Sequence, residues 1–186
     1  MKKTSGRKSN LGLGFLLLAL GAALIFGKPS KILDLSKYTF AEEPVEVVGF
    51  ESVQVSPADE PKRIIIPSLE IDLAVKRARV VNGYWEVFEK EAGWGDGSGI
   101  PGSKGNQVIF AHARPGIFAS LKDIKEGMSI YVLTEGRWYE YQTVEIKDVY
   151  PNQVEVIKPT EDERLTLYTC LGFADRKRLI VVAKPK

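Results

Sequence analysis

Leu165-Thr166-Leu167-Tyr168-Thr169-Cys170, followed by Arg178 and the run Leu179-Ile180-Val181-Val182-Ala183, decides how this chain folds. The first run alternates leucine with threonine and tyrosine, the pattern of a β-strand with two unlike faces. The second is apolar throughout and reads as a strand buried on both sides. Only a short turn separates them, which allows them to pair as a hairpin. That pairing would bring Arg178, at the start of the second strand, near Cys170, at the end of the first.

The rest of the chain repeats this pattern of short strands. Arg63-Ile64-Ile65-Ile66 is stopped by Pro67, and Ile71-Asp72-Leu73-Ala74-Val75 follows within a few residues. Asn106 to Ala111 is a strand that ends on His112. Met128–Thr134 and Arg137–Val149 form a hairpin around Glu135-Gly136. Between His112 and this hairpin, Ile117, Phe118, Leu121 and Ile124 fall on one face of one or two helical turns. The glycine-rich run from Gly93 to Gly105 reads as a long loop, with Trp94 as a packing residue. It is not a phosphate cradle, because no Gly-Lys-Ser/Thr follows and no helix opens from it. Pro151 to Glu163 is a second loop, with an acidic tip at Glu161-Asp162-Glu163. Many short strands with little helix predict a mainly β domain, closed into a barrel of about eight strands.

The N-terminus carries Lys2, Lys3, Arg7 and Lys8, and then an uncharged stretch from Asn10 to Gly27. About 18 helical residues span roughly 27 Å, close to the hydrocarbon thickness of a bilayer. The basic flank should stay cytoplasmic, which puts the remainder outside. A cleaved signal would have a shorter apolar run and a better site than Phe26-Gly27-Lys28-Pro29. The expected organisation is therefore a cytoplasmic tail (1–9), a single-pass transmembrane signal-anchor (10–27), an acidic, proline-containing spacer (28–61) and one domain (62–186). The spacer holds the domain off the membrane, and part of it adds an edge strand in one reading.

Net charge is +2, with the basic excess largely in the tail. The domain is near neutral and offers no basic stripe for nucleic acid. One cysteine cannot form an internal disulfide, and one histidine and one cysteine show no metal-ligand spacing. A lone cysteine ending an apolar strand is ordinarily a small core residue, and a lone histidine is ordinarily a surface or hydrogen-bonded one. Against that stands the chemistry of the set. A thiolate attacks carbonyls, an imidazole moves protons, and a guanidinium holds developing negative charge. With one copy each of cysteine and histidine, a Cys–His mechanism has a single assignment.

Thr166-Leu167-Tyr168-Thr169-Cys170, Arg178 before Leu179-Ile180-Val181-Val182, and His112 after Val108-Ile109-Phe110-Ala111 resemble the signature of the sortases. These are membrane-anchored cysteine transpeptidases of the bacterial surface, with a T-L-x-T-C strand. Ile66-Pro67-Ser68-Leu69-Glu70-Ile71 and Pro101-Gly102 ahead of Gly105-Asn106 extend the likeness, which runs from about Lys62 to Ala183. Ala111 stands where many members have glycine. No Asp-Pro-aromatic lid motif occurs in the spacer.

The resemblance implies a sortase-type barrel with Cys170, His112 and Arg178 as catalytic residues and no cofactor. It implies cleavage of an L-P-x-T-G-type sorting signal through a thioacyl intermediate. Its partners would be secreted proteins bearing that signal and an amine acceptor such as a cell-wall precursor. Thr169 beside the nucleophile would make a hydroxyl or backbone contact. Val154, Val156 and Ile157 would wall the groove for the signal, with ordinary packing as the competing reading. Some relatives bind calcium; here Glu161-Asp162-Glu163 read as a solvated acidic turn. The L,D-transpeptidases place Ser-x-Gly before the cysteine, unlike Tyr168-Thr169. Papain-like hydrolases place cysteine before histidine, the reverse of this order. An anchored β-barrel binding module with a buried Cys170 is the non-enzyme alternative.

Overall fold

The computed structural model describes residues 47, 50, 54–171 and 177–186. The predicted tail, the transmembrane segment 10–27 and most of the spacer lie outside the described residues. Among the described residues, no helix is long and apolar enough to cross a membrane.

Among the described residues ten strands form: β1 (Arg63–Ile66), β2 (Ile71–Ala78), β3 (Val80–Val81), β4 (Tyr84–Trp85), β5 (Ala92–Gly95), β6 (Gly105–Phe110), β7 (Ser129–Leu133), β8 (Trp138–Val149), β9 (Glu163–Leu171) and β10 (Lys177–Pro185). Eight of them close into a barrel in the order β1-β2-β5-β6-β9-β10-β8-β7, and β3–β4 form a small separate ribbon. All barrel pairs are antiparallel except β2–β5 and β6–β9. The mainly β barrel of eight strands is thus as expected.

Alternation along the strands builds two apolar layers. Ile64, Leu73, Trp94, Ile109, Ile130, Tyr141, Leu167 and Val181 fill the barrel, one from each strand. The opposite parity of β6, β9 and β10 supplies Val108, Phe110, Tyr168, Ile180 and Val182 to an outer layer with Trp85 and Ile157, and Val149 joins it because a register shift between the partners of Val182 and Ala183 switches the facing of β8 after Tyr141. This is why residues 179–183 carry no polar residue: both faces of β10 are covered.

The outer layer recruits residues upstream of Lys62. Val47 is buried there, and Phe50 meets Trp85 edge-on with ring centroids 5.2 Å apart. The Val47 amide donates to the Gly83 carbonyl at 2.8 Å, and Val55 packs against the inner core.

Three local expectations change. The glycine-rich run begins as a strand: β5 runs parallel to β2, with Gly93 opposite Lys76 and Gly95 opposite Ala78. Its glycines are required by close packing. A Cβ on Gly95 would lie 2.4 Å from the Trp85 ring, and one on Gly93 would lie 2.8 Å from the Phe110 ring. Those two rings stack over the strand, 5.6 Å apart and 14° from parallel. Secondly, the β6 ladder stops at Phe110, two residues short of His112. The chain turns there because the His112 carbonyl takes the Phe118 amide at 3.1 Å and the Arg114 carbonyl takes that of Ile117 at 3.0 Å. Thirdly, the loop 151–163 contains a 3-10 turn, Val154–Ile157.

Candidate active site

The hairpin expected of β9 and β10 forms, and in its register Cys170 is the Cα partner of Arg178. The pairs Thr166–Val182 and Tyr168–Ile180 precede it at the same parity, so Cys170 and Arg178 occupy positions on the outer face. Parallel pairing of β6 with β9 aligns Val108 with Thr166 and Phe110 with Tyr168. Continuing two residues along each strand brings the chain to His112 and Cys170. The backbone register therefore places Cys170 and Arg178 opposite each other on β9 and β10, with His112 two residues past the adjoining end of β6, although the histidine lies far from the cysteine in sequence.

Side chains hold this end in place. The Thr169 hydroxyl, buried on the barrel side, donates to the Ala111 carbonyl at 2.8 Å. The Ala111 amide donates to the Tyr168 carbonyl at 3.3 Å. Together they extend the β6–β9 alignment past the end of the ladder, to the residue before His112. Thr169 thus fixes backbone next to the histidine, a role its β propensity does not announce. His112 itself is half-buried.

Arg178 is only 1% exposed. A buried guanidinium demands partners. Its Nε donates to the Tyr168 hydroxyl at 2.7 Å, and one terminal nitrogen donates to the Lys177 carbonyl at 3.2 Å. Its guanidinium carbon lies 5.9 Å from the centre of the Tyr168 ring.

The segment 154–158 is clamped to the same face. Buried Asn106 on β6 donates through its amide nitrogen to the carbonyls of Val156 (3.0 Å) and Lys158 (3.1 Å). Its oxygen accepts from the Thr166 hydroxyl at 2.6 Å. Of the three residues expected to wall a groove, Ile157 is buried in the outer layer, and Val154 and Val156 pack against that layer half-buried. Ile157 is therefore held in packing, and Val154 and Val156 keep partial exposure.

Beside His112, Arg114 makes an ion pair with Glu89. The Arg114 guanidinium holds the Glu89 carboxyl below the usual carboxylate range, and His112 adds a smaller pull in the same direction. Sequence reading singled out neither Glu89, Asn106 nor Tyr168 as a site residue. Only the location of Tyr168 inside the cysteine motif was a signal. At the acidic turn, Asp162 pairs with Lys184, and Glu163 accepts from the Tyr141 hydroxyl (2.7 Å) and the Gly102 amide (2.8 Å).

A closed eight-stranded barrel with a cysteine paired across the sheet to an arginine, and a histidine two residues past the neighbouring strand, defines the class of fold. Residues 64–186 match the sortase domain, and the chain belongs to the sortase family. Sortase A of Listeria monocytogenes is 28% identical over 144 residues, 71% of this chain and 61% of that protein. The chain thus spans less than two thirds of that relative's length. Among solved structures, a lid mutant of sortase A from Corynebacterium diphtheriae is 28% identical, with a TM-score of 0.58, 67% of this chain and 68% of the other being covered. Sortase C1 of Streptococcus suis has the same fold (TM-score 0.60, 24% identity, 69% and 74% covered).

Proposed function

We propose that this chain is a cysteine transpeptidase that cleaves a C-terminal sorting signal of the L-P-x-T-G kind and transfers the acyl part to an amine at the cell surface. The observation that carries the reading is the register: Cys170 opposite Arg178, with His112 just past the β6 residues that pair with β9. Membership of the sortase family supports it.

In this mechanism the Cys170 thiolate attacks the threonine carbonyl, and the carbonyl π pair moves to oxygen. Arg178 stabilises the resulting oxyanion. Collapse breaks the C–N bond, and the leaving amine takes a proton from the His112 imidazolium. The product is a thioester on Cys170. An incoming amine attacks it and loses a proton to His112, and the thiol is released as the new amide forms. A neighbouring cation lowers a cysteine pKa from about 8.5 and raises the thiolate fraction. The reaction runs from either the thiolate–imidazolium or the neutral pair. The N-terminal apolar segment 10–27 would hold the enzyme in the membrane with its barrel outside, where secreted substrates and a cell-wall amine acceptor meet it.

The test is incubation with a quenched L-P-x-T-G peptide library, with and without an amine, followed by mass spectrometry of Cys170. A thioacyl adduct and an amine-dependent product are expected. A folded protein whose thiol resists both substrate and alkylating agent would instead fit a binding module with an inert cysteine.

A further inference from the structure

We infer that Tyr168 is a positioning residue for Arg178, fixing the guanidinium that serves the acyl-transfer site; the inference rests on the function proposed above. Position 168 is the unspecified position of the T-L-x-T-C motif, so the motif itself asks nothing of it. In this chain it carries the hydroxyl that Arg178 Nε reaches at 2.7 Å.

The geometry follows from the sheet. Cys170 stands directly across β9–β10 from Arg178, and Tyr168 is the diagonal neighbour two residues earlier. Diagonal neighbours on one face are about 7–8 Å apart, within reach of a long side chain and an aromatic ring but not of a leucine, valine or threonine. The Nε–H lies in the guanidinium plane, so a hydrogen bond to it sets the rotation of the whole group. The Lys177 carbonyl supplies a further constraint. The tyrosine is itself held: it pairs with Phe110 on β6 and with Ile180 on β10, and it is buried in the outer layer. An arginine loses much rotamer freedom when it is fixed. Tyr168 meets that cost during folding, so the group is pre-organised for the oxyanion.

Tyr168→Phe keeps the ring and deletes the acceptor. It should lower kcat by about tenfold to a hundredfold, the range for loss of a hydrogen bond to a charged group, with KM little changed. In an Arg178→Ala background the same change should add almost nothing, because the tyrosine acts through the arginine. A second readout needs no peptide: the pH profile of Cys170 alkylation by iodoacetamide. Tyr168→Phe should move its midpoint upward, and by less than Arg178→Ala does. Arg178→Lys keeps the charge but loses the Nε–H, so it should resemble Tyr168→Phe. It also serves if Tyr168→Phe folds poorly.

A normal kcat and alkylation profile in Tyr168→Phe or in Arg178→Lys overturns the inference. So do effects of Tyr168→Phe and Arg178→Ala that simply add, or a kcat loss matched by an equal loss of folded protein. A wild-type thiol that resists alkylation overturns the transferase reading itself, and the inference with it. Reactive Cys170 with an unchanged profile in Tyr168→Phe overturns the inference alone.

Discussion

Cys170 and His112 each have one copy in the chain, so their removal is unambiguous. Cys170→Ala should abolish turnover of a sorting-signal peptide while leaving the thermal unfolding transition intact; substantial remaining turnover would sink the mechanism. His112→Ala should cost at least about a hundredfold in rate, the lower end for general acid–base catalysis. A mild loss in a peptide-cleavage assay would mean that another proton carrier exists. A different residue, Tyr141, contributes to stability at alkaline pH. Burial, followed by the Glu163 carboxylate, pushes the Tyr141 hydroxyl above the ordinary tyrosine value. Above about pH 10 the unfolded chain loses this proton and the folded one keeps it, so the native state binds more protons. Stability contributed by this group is full below about pH 10 and falls above it by up to about 1.4 kcal/mol per pH unit. Urea unfolding at increasing alkalinity should show a shallower decline in Tyr141→Phe than in the wild type.

At the scale of elements, β5 depends on its glycines. Gly95→Ala drives a methyl against the Trp85 ring and disturbs the Trp85–Phe110 stack. Overpacking of this kind costs about 1–3 kcal/mol, to be read from denaturant midpoints. If Gly95→Ala is neutral, the Trp85 ring is free to shift. Asn106 ties three elements together, since β6, β9 and the turn before β9 share its amide. Asn106→Ala leaves two carbonyls and a hydroxyl without that partner. It should loosen segment 154–158, seen as faster amide hydrogen exchange there, before it affects β7 or β8.

At the scale of the whole molecule, the barrel needs more chain than its eight strands. Val47, Phe50 and Val55 precede β1 and pack against the two apolar layers. A chain starting at Asp59 should be less stable than one starting at Phe40 by roughly 2–4 kcal/mol, given the apolar surface uncovered. Equal melting temperatures for the two would show that this upstream packing contributes nothing.

Most of the strands, the hairpins and the uniqueness of Cys170 and His112 were legible from local chemistry. Alternation, β-branched runs and turn residues act over a few positions, and unique reactive side chains need no context to be noticed. The β5 strand was hidden because its glycines, which locally signal a loop, answer to rings from β4 and β6. The same holds for Ile157, whose burial depends on an outer layer assembled from distant strands. The roles of Tyr168, Thr169 and Asn106 are properties of register: each acts across strands, on a group that sequence spacing does not mark as a neighbour. Sequence by itself determined which groups are present and which segments extend. Tertiary structure alone decided which of them meet, because strand pairing and barrel closure set those distances.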